Sequence, residues 1–159
     1  MLELFSRIPD ALTLQDDAHL SPIPVDGKAS SLSAILLDEA YYSFIHESKS
    51  ESGGVSLVPP ECIIPLKAKA WLDLTGRREA GEQVDEKDIK KHKNDVFRLF
   101  QVIAPDTLMV LPDSVGDDLQ RFLEAVEADP PQSLKTFGLV GITANEVIDT
   151  LRAIYKLSR

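Results

Sequence analysis

A chain of 159 residues, with 43% apolar and 27% charged side chains, has room for one domain or for a core with a helical appendage, and its composition is that of an ordinary soluble globular protein. No apolar run approaches the roughly 18 residues that a membrane span requires, and the opening MLELFSRIPD is acidic at once, without a cleavable apolar stretch. A net charge of −9 argues against general affinity for DNA or RNA, because non-specific binding rests on cations that neutralise phosphates, and the lone cysteine, Cys62, cannot close an internal disulfide, which fits a reducing, cytoplasmic setting.

Taken in chain order, residues 1–7 suit a short strand, and residues 8–29, rich in Pro and Asp, read as an extended connection with one edge strand at 23–25. The apolar run at 32–37 reads as a buried strand, and residues 39–49, with Tyr42, Phe44 and Ile45, as a short helix. KSESGG, ending at Gly54, is a loop, and 55–58 is a short strand. Pro59 and Pro60 open a helix, since proline is tolerated in a first turn, and this helix runs to about Arg78 and stops near Gly81. Asp85 caps the next, which ends before Pro105. A third spans Ser114 to Ala128, closed by Pro130 and Pro131, and a capping box at Thr143–Glu146 starts the last, which runs to about Leu157. Strands followed by helices make the class α+β. No internal repeat interrupts the pattern.

Two of these helices carry an anomaly. In the helix from Pro60, the residues Ile63, Lys67, Ala70, Trp71 and Leu74 recur at the spacing of one buried stripe, and all but Lys67 are apolar. An ammonium among apolar neighbours costs free energy unless it meets an anion or its stem reaches water. Snorkelling is the bland account, and contact with a phosphate the functional one. Lys69 and Asp73 share a different, polar face. In the next helix, Ile89, Val96, Leu99, Phe100 and Ile103 form the apolar side, with Asp88, His92 and Asp95 along one edge. These three could hold a metal, but one helix seldom supplies a whole ligand set, and each aspartate has a cation three residues on, Lys91 or Arg98. Asp95 facing Lys67 across the helix pair would give the lysine its counter-charge. Charge is also uneven along the chain. Residues 87–98 are basic, while 79–86 and 113–129 are acidic, so the basic run is either a solvated face or a seat for a small phosphorylated ligand.

The string IIPLKAKAWLDLTGR followed by VDEKDIKKHKNDVFRLF resembles the later motif blocks of AbiEii-like nucleotidyltransferases. In that family a helix with Lys-x-x-Ala and a following arginine precedes one with Lys/Arg-Asp and then Asp-Leu. Lys67 and Ala70 take the first positions, Arg77 or Arg78 the arginine, Lys87-Asp88 the next pair and Asp95 the last, with an insertion between the two acidic positions. The resemblance covers residues 1–103. It implies a nucleotidyltransferase-like domain at 1–104, a helical extension at 105–159 packed on it, and transfer of a nucleotidyl group from a nucleoside triphosphate to RNA or protein. It also implies Mg²⁺ on carboxylates of the core, phosphate contact by Lys67, Arg77 and Lys87, and a catalytic or orienting role for Asp95. Glu3 would be the remnant of a third core carboxylate.

The family's Gly-Ser turn and Asp-x-Asp metal pair are absent from this sequence, so the resemblance implies a chain that begins within such a fold and supplies no metal site of its own. Three expectations follow: a nucleotidyltransferase-like protein inactive by itself, a non-catalytic module such as an antitoxin-like or scaffold protein with a partner protein or a second copy, and a plain α+β domain.

Overall fold

The computed structural model describes residues 38–104 and 106–157, a mostly helical α+β arrangement with one small antiparallel sheet. The strands expected at 1–7, 23–25 and 32–37, and with them Glu3, lie outside the described residues.

Helix α1 (Glu39–Ser48) starts where Asp38 Oδ1 accepts hydrogen bonds from the backbone N–H groups of Ala40 and Tyr41 at 2.9 and 3.3 Å. This cap decides for helix in a segment whose Tyr and Phe suit strands equally. A hairpin follows, pairing β1 (Ser50–Ser52) with β2 (Val55–Leu57) in the register Ser50 to Leu57 and Ser52 to Val55. Its two turn residues, Gly53 and Gly54, have φ of +59° and +76°, and a two-residue hairpin turn of this type needs positive φ at both positions. The first strand falls in the expected loop, because Ser-Glu-Ser carries no apolar residue to betray it. The order is therefore helix, hairpin, then helices.

Helix α2 (Pro60–Glu79) ends at Gly81, whose φ of +86° breaks the spiral. Helix α3 (Glu86–Phe100) begins on Asp85, whose side chain accepts from Lys87 N at 2.9 Å. Helix α4 (Asp113–Ala128), a 3₁₀ turn at Lys135–Phe137 and helix α5 (Ala144–Ile154) are the remaining described elements. The capping box of α5 is present in full, Glu146 N donating to Thr143 Oγ1 at 3.2 Å and Thr143 N to Glu146 Oε2 at 2.7 Å.

Helix α2 is the axis, packed against α1, α3 and α4. Cys62, Leu66 and Ala70 face α1 and the start of α4, where Tyr41, Phe44, Ile45 and Val115 are buried with them. Ile64 and Ala68 face the larger core built by Val96, Phe97, Leu119, Phe122, Ile148 and Leu151 among others. The single stripe read from the sequence is corrected accordingly. Ile63 and Trp71 are only partly buried, while Cys62, Ile64, Leu66 and Ala68 are buried fully. A helix enclosed by three neighbours buries more than one face, so no single period describes it. Each Leu, Ile or Phe buried in this way contributes about 1.5–3 kcal/mol. The larger core takes side chains from both sides of residue 104.

Pro65 sits inside α2 and has no N–H to give to the carbonyl of Glu61, four residues back. The hydroxyl of Tyr155, just past α5, donates to that carbonyl at 2.6 Å. A proline that would leave a partly buried acceptor without its helical partner is thus accommodated by a side chain 94 positions away in sequence.

Candidate functional site

Lys67 and Asp95 face each other across the α2–α3 pair. Lys67 lies between the two apolar faces of α2 and is 6% exposed, and its Nζ is 3.6 Å from Asp95 Oδ2. The Asp95 side chain is 19% exposed, and its other oxygen accepts from Arg98 Nη1 at 2.9 Å. Arg98 in turn lies over the ring of Phe137, 5.4 Å from its centroid. One turn before Asp95, His92 is buried as well. Burial lowers the His92 pKa from its ordinary value, and the positive charges of Lys67 and Lys91 push it the same way, against Asp95 and Asp88. Helix α3 therefore turns a neutral imidazole and a carboxylate toward the buried lysine of α2. His92 and Phe97 both belong to the buried face of α3, though neither was counted on its apolar side from the sequence.

The other expected nucleotide contacts lie elsewhere. Arg77 is ten residues along α2 from Lys67, about 15 Å at the helical rise, and its Nε is 2.7 Å from Glu82 Oε2. Arg78 is held by Glu86 at 3.1 Å. Lys87 is exposed at the start of α3, and its ammonium meets no carboxylate among the described residues. The structure therefore brings Lys67 and Asp95 together and leaves Arg77 and Lys87 at the far end of the helix pair. Among the described residues no three His, Cys, Asp or Glu side chains converge as a metal site.

A second polar cluster gave no signal beyond the Lys69–Asp73 spacing. Asp118 on α4, with its side chain 14% exposed, accepts from Tyr41 Oη at 3.1 Å and pairs with Lys69 at 3.1 Å. Arg121 adds a longer contact at 3.4 Å, and Lys69 also reaches Asp73 at 3.5 Å. Burial raises the Tyr41 pKa, and the adjacent Asp118 carboxylate raises it further, so the phenol stays protonated and donates. For Lys69, burial alone would disfavour the charge, but the hydrogen bond and field of Asp118 with that of Asp73 outweigh it and raise the pKa. The cluster ties α1, α2 and α4 with complementary charges and has the features of a structural joint.

Cys62 is fully buried, with its Sγ 4.0 Å from Met109 Sδ. Burial raises its thiol pKa, which suppresses the thiolate that nucleophilic chemistry needs. No helix among the described residues is long and apolar enough to cross a membrane. No family model, curated protein or solved structure matches the chain.

Proposed function

We propose that this chain is a non-catalytic helical interaction module, in which Lys67 and Asp95 join α2 to α3. The observation that carries the reading is the seating of Lys67. Its ammonium lies in the helix interface against a carboxylate already shared with Arg98, while Arg77 stands about three helical turns from Lys67 and Lys87 about two from Asp95. A lysine that meets phosphate as a point charge must present its ammonium where the phosphate can reach it. A buried ion pair is weak evidence for net stability, and fixing the register of packed elements is its best-attested use.

Titration of the full chain with each nucleoside triphosphate in the presence of Mg²⁺, followed by calorimetry and thermal melting, tests this. No heat and no change in melting temperature are expected. Saturable nucleotide binding that disappears in Lys67→Ala, or transfer of a radiolabelled nucleotidyl group, would overturn it.

A second reading has one specific observation in its favour. The resemblance to AbiEii-like nucleotidyltransferases gives a role to both Lys67 and Asp95, and these two residues lie close together. On that reading the helix pair is the phosphate-facing half of a nucleotidyltransferase-like site whose Mg²⁺-binding carboxylates belong to a core this sequence does not contain. The same titration separates the two.

A further inference from the structure

The outward faces of α3 and α4 carry matching rows. On α3, Lys87, Lys91, Asn94 and Arg98 follow one another at steps of four, three and four, the spacing that keeps side chains on one side of a helix. On α4, Asp113, Asp117, Gln120 and Glu124 follow at the same steps. Laid side by side in parallel, the rows set Lys against Asp twice, then Asn against Gln, then Arg against Glu. The three charged positions are exposed in each row, and the amide is half-buried in each.

Little among the described residues satisfies these charges. Lys87 and Lys91, like the neighbouring Lys90, meet no carboxylate among the described residues, and Asp113 and Asp117 meet no cation there. Among the described residues Glu124 accepts only from Gln120, at 2.8 Å. Arg98 is shared with Asp95 but remains half-exposed. Lys93 of α3 grips Asp129, just past the end of α4, at 2.9 Å, and among the described residues no ion pair joins the two rows. Each row is about 16 Å long at the helical rise, enough for three charge pairs and one amide pair.

We propose that the basic row of α3 docks on the acidic row of α4 of a second copy of this chain. This rests on the reading of the chain as an interaction module and names the partner surface. A nucleic acid is the less favoured occupant, because the row has no aromatic side chain for bases to stack on and the chain as a whole is strongly negative. The contact joins two different surfaces, so it is heterologous and propagates to a ring or an open chain. It is built from exposed charges, so salt must weaken it.

Sedimentation velocity of the full chain at about 20 mM and about 500 mM NaCl reads this directly, the Debye length falling severalfold between them. At low salt the mass-average should at least double as concentration rises, and at high salt it should return to the monomer. Lys87→Glu with Lys91→Glu gives two acidic rows, and Asp113→Lys with Asp117→Lys gives two basic ones. Each variant alone should stay monomeric, and an equimolar mixture should associate again. The neutral pairs, Lys87→Gln with Lys91→Gln and Asp113→Asn with Asp117→Asn, serve if a reversal disturbs folding, and each should weaken association at least tenfold. A wild-type chain that is monomeric at low salt, association that survives both reversals, or a mixture that stays monomeric overturns the proposal. So does low-salt capture of a labelled single-stranded RNA without self-association, if Lys87→Glu with Lys91→Glu abolishes it. None of these outcomes decides whether nucleotides bind, so the module reading stands or falls separately.

Discussion

Replacing Asp95 with Ala removes the carboxylate 3.6 Å from the Lys67 ammonium while leaving the lysine in its buried seat. At that separation a pair of unit charges is worth about 1 kcal/mol in water and about 4–5 kcal/mol at an effective dielectric of about 20. The pair lies between these limits, because Lys67 is 6% exposed but Asp95 is 19% exposed and open to solvent on the Arg98 side. The expected loss is therefore about 2–3 kcal/mol, below the about 3–5 kcal/mol typical of a fully buried pair broken on one side. Lys67→Met with Asp95→Leu should recover most of it, since an apolar pair of similar volume incurs no desolvation cost. Urea unfolding can be followed through the fluorescence of Trp71, the sole tryptophan, which packs edge-on to Phe122 at 5.4 Å against the larger core. The midpoint should fall in Asp95→Ala without a change in slope, and the double-mutant cycle should return a coupling of at least about 1 kcal/mol. A loss under about 0.5 kcal/mol would mean that the pair behaves as an exposed one and that the burial argument is wrong.

Because burial depresses the His92 pKa, the folded state resists protonation more than the unfolded chain does, so this residue's contribution to stability is full above about pH 6.5 and declines as pH falls toward the folded value. His92→Gln should flatten the dependence of the urea midpoint on pH between about 7.5 and 5.5, and an unchanged slope would exclude His92 as its source. Tyr155→Phe keeps the ring but withdraws the proton held by the Glu61 carbonyl, and should cost about 1–2 kcal/mol in thermal or urea unfolding. Thr143→Ala removes half of the α5 capping box and should cost about 1 kcal/mol, with faster amide exchange confined to the first turn of that helix.

The helix boundaries were legible wherever a backbone preference marked them. Pro60 at the start of α2, positive φ at Gly81, the Asp85 cap and the Thr143–Glu146 box each act through a few local atoms, so sequence neighbours suffice to reveal them. The meeting of Lys67 with Asp95 was legible too, because an unpaired charge in an apolar setting demands a counter-charge and the adjacent helix offered one. What escaped was decided by distant partners. The polar strand Ser50–Ser52 exists because two glycines turn the chain back on itself, the buried faces of α2 depend on having three neighbours, and Asp118 becomes a joint only where α4 passes Tyr41 and Lys69.

The bond from Tyr155 to Glu61 also has a bearing on how the protein is made. It spans 94 positions in sequence, so a ribosome adding about 5–20 residues per second needs about 5–20 s after Glu61 before the tyrosine even exists. During that interval the carbonyl opposite Pro65 lacks the tyrosine hydroxyl. The first turn of α2 is therefore less secure until Tyr155 is in place, and a chain lacking Tyr155 would keep that weakness.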